Sequence, residues 1–145
     1  MRARAVVEDY GEFRVRLLEE LKSVLSAQRG RVAVVHVKRV AGRLAGLNSA
    51  LLAVAAHALT SIKVVRVDGR VWRLAVVLAP YKCRAPRGVR VVRSGRRIRL
   101  VYVRADVAPP DCCPACSSNL ELRDGLYVCP ECGGIWGAEA GAEGE

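Results

Sequence analysis

Six cysteines carry the chemistry that can be read directly from this chain. Four form two matching turns, Cys113-Pro-Ala-Cys116 and Cys129-Pro-Glu-Cys132, with twelve residues between them. Each turn brings two thiolates to one side of a tight loop. The segment between them is long enough to run out and back as a hairpin, so four sulfurs can meet at one tetrahedral ion. Proline after the first cysteine of each turn fixes φ and stiffens it. Gly133-Gly134 follows the second turn, where amides can point at sulfur without interference from Cβ. Ser117-Ser118 stands at the same place after the first turn. The expectation is one structural Zn2+ held by Cys113, Cys116, Cys129 and Cys132. Iron fits the same ligands, and a pair of disulfides is the competing use. Residues 1–7 lack the apolar core of a secretory leader, so a cytoplasmic chain that holds metal is expected.

Cys112 abuts Cys113 and could exchange with it; the Cys-Pro-x-Cys spacing selects Cys113. Cys83 is expected to be a small buried hydrophobe. A four-sulfur zinc is coordinatively closed and cannot activate water. The chain also lacks paired carboxylates in a pocket context, a Ser-His-Asp order and a glycine-rich phosphate loop. A non-enzymatic protein is expected. His36 and His57 each sit in an apolar run and are expected to be packed side chains.

The 145 residues carry a net charge of +10, distributed unevenly. Residues 1–59 contribute +5, residues 60–106 contribute +11 and residues 107–145 contribute −6. The middle segment holds thirteen cations and two carboxylates, too few to pair internally. A polyanionic partner is therefore expected there and not at the acidic zinc module. The cations singled out for phosphate contact are Arg66, Arg70, Arg73, Arg90, Arg93, Arg96, Arg97 and Arg99. Alternation along a strand places Arg97 and Arg99 on one face, with Ile98 and Leu100 on the other. Trp72, Tyr81 and Tyr102 are interleaved with the cations, so bases could stack beside bound phosphates. DNA and RNA remain open. Twenty of the 24 basic residues are Arg, and Asn and Gln total three, which suits a heat-adapted source.

Residues 9–29 read as an amphipathic helix through Phe13, Leu17, Leu21, Val24 and Leu25, with Asp9 as N-cap and Gly30 as stop. Residues 31–37 are β-branched and suggest a strand. A helix over 38–46 follows, broken at Gly46, and Asn48 or Ser49 caps another to about Thr60. Residues 62–67 and 71–78 flank Asp68-Gly69, a strong hairpin signal. Residues 89–93 and 98–103 flank Ser94-Gly95 and suggest a second hairpin. A stiff Ala-Pro-Pro linker, 108–110, leads to the zinc module. Residues 44–62 are uncharged, about the minimum length of a membrane span. The polar residues within this stretch and the charges flanking it favour a buried or partner-covered helix.

These elements give an α+β expectation. A winged-helix-like or small αβ domain occupies residues 1–80, and an arginine-rich β-hairpin extension 81–107. A zinc ribbon follows at 108–136, with a flexible acidic tail at 137–145. The helix–strand–helix–turn–helix–hairpin order over residues 9–78, with Ala41 at a close helix approach and Asn48-Ser49 at a helix cap, resembles a winged helix. Joined to a terminal ribbon, it is similar to winged-helix and zinc-ribbon proteins of the archaeal transcription machinery, such as the alpha subunit of basal factor E. Here a basic β region separates the two modules. The resemblance implies a transcription-associated, nucleic-acid-binding factor whose ribbon docks on protein. The layout is also similar to the archaeal initiation factor two beta subunit, which would imply a translation or RNA-processing role. A structural subunit of a larger complex, docked through the 44–62 helix, is a third expectation. The helix over 49–60 offers almost no polar side chain beyond His57, so base readout by it is not expected.

Overall fold

The computed structural model describes residues 10–45 and 49–139. Asp9, Gly46, Asn48 and the chain beyond Glu139 lie outside the described residues. The elements are α1 (Tyr10–Ser26), β1 (Val32–His36), α2 (Val37–Ala45), α3 (Ser49–Thr60), β2 (Val64–Val67), β3 (Arg70–Ala79), β4 (Arg90–Arg93), β5 (Arg99–Arg104), β6 (Glu121–Arg123), β7 (Leu126–Val128) and β8 (Ile135–Ala138). They form a mixed α+β structure of three layers: helices, a five-stranded sheet and a small three-stranded sheet.

The helical layer follows from the apolar stripe of α1. Leu17, Leu21 and Leu25 are fully buried, one per turn on one face. They share a core with Val40 and Ala41 of α2, Ala55, Ala58 and Leu59 of α3, and the near face of the sheet. The small side chain of Ala41, 0% exposed, sits where α2 meets its neighbours. α3 is covered by its own chain: Ala55, Ala56, Ala58, Leu59 and Thr60 are buried, while Ala50, Ala53 and His57 face outward. No described helix is long and apolar enough to cross a membrane.

The sheet order is β1-β5-β3-β2, with β4 beside the far half of β3. The first hairpin forms as expected. β2 and β3 pair antiparallel around Asp68 (φ 54°) and Gly69 (φ 73°), the two left-handed positions of a type I′ turn. The second hairpin does not form. β4 pairs parallel with β3, and β5 lies antiparallel between β1 and β3. The segment expected as an appended extension therefore supplies a central strand of the main sheet. The winged-helix element order is present, but β5 separates β1 from the β2–β3 hairpin. Burial explains that position: Leu100, Tyr102 and Val103 are 0% exposed, which a separate hairpin could not achieve.

β3 is buried on both faces. Trp72, Leu74, Val77 and Ala79 face the helices, whereas Val71, Ala75, Val76 and Leu78 belong to the opposite cluster. The change from even to odd positions coincides with a bulge between Leu74 and Val76. The opposite face was expected to be arginine-rich and exposed. It is largely apolar, and Leu126, Val128, Ile135 and Ala138 of the small sheet cover it. β8 also corrects the expectation of a loose tail from 137: Gly137 and Ala138 are buried within a strand paired to β7.

Candidate metal centre and basic surface

Two equivalent turns build the cysteine cluster. In the first, the Ser117 N–H donates to the Cys113 carbonyl at 2.8 Å, and the Cys113 N–H donates to the Ser118 carbonyl at 2.8 Å. In the second, the Gly133 N–H donates to the Cys129 carbonyl at 2.8 Å, and the Cys129 N–H donates to the Gly134 carbonyl at 2.9 Å. Both turns reach a left-handed residue at the same step, Ser117 (φ 62°) and Gly133 (φ 78°). β6 and β7, joined by Asp124-Gly125, form the hairpin between them.

The four Sγ atoms lie within 4.8 Å of one another. Cys113 and Cys132 are 3.6 Å apart, and Cys116 and Cys129 are 3.2 Å apart. Both separations exceed the about 2.05 Å of a disulfide bond, and all six cysteines are free in this geometry. A tetrahedral S4 site with Zn–S near 2.3 Å has sulfurs about 3.8 Å apart. The cluster therefore fits a metal ion such as zinc with small adjustments. Cys112 is not a member: its backbone bridges to Asn119, and Cys113 supplies the sulfur.

The cluster's hydrogen bonds divide the thiols into two classes. Burial pushes Cys113 up, but the N–H groups of Cys116 and Ala115 and the neighbouring sulfurs outweigh it, and its pKa falls to about 6. The Cys132 N–H lowers Cys129, over an opposing contribution from burial. Its bond with Cys129 raises Cys116. At Cys132 the Gly134 N–H favours the thiolate, but bonds to Cys129 and Cys113 prevail and push it up to about 12. The directions differ because each sulfur is placed differently among the turn amides and the other sulfurs; a dication bound by the four would hold all of them as thiolates and release their protons.

The module that carries the cysteine cluster is fastened to the main sheet by a residue expected elsewhere. Arg73 was assigned to the phosphate-binding face, but it is 5% exposed. It donates to the Asp124 carbonyl at 2.9 Å and the Gly125 carbonyl at 3.1 Å, at the tip of the ribbon hairpin. It cannot meet a phosphate there. Gly125 is required on two counts, a φ of 79° and an Arg73 guanidinium occupying the space of any Cβ. Nothing in the sequence distinguishes Arg73 from its neighbours: alternation with Trp72 and Leu74 turns it to the face that the ribbon covers, and only tertiary packing decides what covers that face. The uninterrupted apolar run Leu74–Ala79 did carry a signal that β3 is covered on both faces.

The other candidates differ in availability. Arg66 on β2, and Arg90 and Arg93 on β4, are exposed, as are Arg96 and Arg97 in the loop before β5. None of these five has an ion pair with a described carboxylate. Arg70 donates to the Gln28 carbonyl at 2.7 Å, closing the loop after α1 onto β3. Arg99 bonds the Ser94 carbonyl and hydroxyl, at 3.3 and 3.2 Å. Arg97 lies outside β5 and lines a cavity. It and Arg99 therefore do not form the shared face expected of a strand.

The expected aromatic stacking surface also changes. Trp72 and Tyr102 are 0% exposed core residues, and the Tyr102 hydroxyl donates to the Ile62 carbonyl at 3.0 Å. Tyr81, at 51%, is the one of the three that reaches solvent. His36 and His57, expected to be packed, are both exposed. Cys83 is half-buried against the core, and burial raises its thiol pKa, which suits the apolar role expected of it.

No family model matches the chain, and no similar curated protein or solved structure was found.

Proposed function

We propose that this protein is a non-enzymatic nucleic-acid-binding protein with a transcription-associated role, whose cysteine cluster holds one structural zinc. The observation that carries this reading is the set of exposed cations on β2, β4 and the loops around β4. Arg66, Arg90, Arg93, Arg96 and Arg97 have no described carboxylate to neutralise them, and Lys82, Arg84 and Arg87 are exposed on the segment leading to β4. Such a set releases counterions when it meets phosphates. Arg70, Arg73 and Arg99 leave the contact set, because their guanidinium groups bond backbone carbonyls or Ser94.

The ribbon's part in this reading is architectural. It covers the second face of the sheet, and its exposed residues include Asp111, Glu121, Asp124 and Glu131, which repel phosphate. That surface suits a protein partner. The rival reading, a structural subunit docked through the uncharged helix, loses support because α3 buries that helix's apolar face within its own chain.

Binding of labelled duplex DNA, single-stranded DNA and structured RNA across a salt series tests the proposal. Log affinity should fall linearly with log salt, and Arg90→Ala with Arg93→Ala should lower the slope by about 2. Absence of binding to all three at moderate salt would remove the proposal. Preference for structured RNA would move the role from transcription to translation or RNA processing.

A further inference from the structure

A cavity of about 290 Å³ opens between the start of α2, the outer side of α3 and the segments around Tyr81 and Ile98. Val37, Leu52, Ala56 and Ile98 make its floor apolar. Its rim carries Lys38, Arg96 and Arg97, all exposed and without an ion pair to a described carboxylate. Tyr81 stands on its wall with half its surface in solvent.

Two features point to an anionic occupant with a flat apolar part. First, Lys38 lies in the first turn of α2, which has no acidic residue. A cation at the positive end of a helix opposes the macrodipole and is unfavourable there unless an anion is bound. Three cations around one opening repel one another and raise the local positive potential. Second, the apolar floor and adjoining Tyr81 offer what a nucleobase needs and a free phosphate does not. The volume lies at the lower end for small-molecule sites, about 300–1,000 Å³. One base fits; a stacked pair within a duplex does not.

We propose that this cavity takes one unpaired nucleotide of a single-stranded nucleic acid. The base enters against Tyr81 and the apolar floor, and the flanking phosphates meet Lys38, Arg96 and Arg97. This rests on the nucleic-acid-binding reading and narrows it to single strands. It assigns base contact to Tyr81 and leaves Arg90 and Arg93 with backbone contact alone.

The test uses the full zinc-loaded chain with a fluorescent ten-nucleotide single strand, the same strand annealed to its complement, and a nucleoside 5′-monophosphate. Tyr81→Ala removes the stacking surface, Tyr81→Phe retains it, and Ala53→Phe fills the cavity from the exposed side of α3. The expected result is that the single strand binds more tightly than the duplex. Tyr81→Ala and Ala53→Phe should weaken single-strand binding about tenfold and leave duplex binding unchanged, and Tyr81→Phe should bind as wild type. Circular dichroism melts check that each variant is folded. Equal loss of single-strand and duplex binding, or no loss in either folded variant, overturns the proposal. So does a monophosphate that binds as tightly as the ten-mer, which would assign the cavity to a free nucleotide. If single strands and duplex both bind, depend on Arg90 and Arg93, and ignore Tyr81 and Ala53, the wider reading stands and the cavity proposal falls. If nothing binds, both fall.

Discussion

Replacing Arg73 by Met separates its structural role from a phosphate-binding one. Met keeps most of the apolar stem, so the change removes the guanidinium without opening a large cavity. Two hydrogen bonds from a cation are lost, to the carbonyls of Asp124 and Gly125. Bonds to charged groups contribute about 1.5–3 kcal/mol each. Three effects reduce the sum. The Gly125 carbonyl still accepts the Glu139 N–H at 2.7 Å. Asp124 is exposed, so water can reach it. Removing a buried cation also relieves its desolvation, and its Nε has no partner to lose. The net loss should be about 2 kcal/mol. For a chain of this size that lowers the melting temperature by roughly 4–8 °C. The assay is thermal unfolding of the zinc-loaded protein and of protein stripped by a chelator. The loss should shrink in the stripped protein, because a hairpin no longer held by metal presents its carbonyls less well to Arg73. Nucleic-acid affinity of the folded variant should equal wild type. An unchanged melting temperature, or weakened nucleic-acid binding at unchanged stability, would refute the account of Arg73 as the fastening between sheet and ribbon.

The remaining predictions concern the turns, the metal and one ion pair. Ser117→Gly should raise stability by about 0.5–1 kcal/mol, because Ser117 holds a left-handed φ that its counterpart Gly133 adopts freely; denaturant melts measure it. Gly125→Ala should destabilise by more than 1 kcal/mol, about the cost of the backbone strain alone, since its Cβ would also enter the Arg73 guanidinium. Cys129→Ser should abolish retention of one zinc per chain and shift the fluorescence of Trp136, whose indole lies beside Gly134 near the Cys132 sulfur; unchanged zinc content by metal analysis would sink the ribbon assignment. Arg104 donates to both oxygens of Asp106 at 2.7 Å and holds that carboxyl below its ordinary 3.8. The stability from this pair is complete above that pH and is lost as pH falls through the depressed value. Asp106→Asn should therefore cost about 1 kcal/mol at neutral pH and flatten the acid limb of the stability curve, read by urea melts at several pH values.

The cysteine cluster was legible because its geometry is local. Cys-Pro-x-Cys spacing, a proline and a small residue after each turn already determine which sulfurs converge. The first helix was legible for the same kind of reason: Leu17, Leu21 and Leu25 repeat at the helical period. So was the Asp68-Gly69 turn, whose residues tolerate the φ it demands. The net positive charge of residues 60–106 is likewise a property of the chain alone. Tertiary structure decided what each cation and aromatic does. Strand pairing is a non-local choice: β5 follows β4 closely in sequence yet joins β1 and β3, because only a central position buries Leu100 and Tyr102. The bulge at Ala75 then reverses the faces along β3 and turns Ala75 and Val76 toward the same layer that Arg73 reaches. Trp72 and Tyr102 became core, Arg73 became a fastening, and Lys38, Tyr81 and Arg97, far apart in sequence, came to line one cavity. Composition gives the number of charges and rings, but packing determines which of them face solvent.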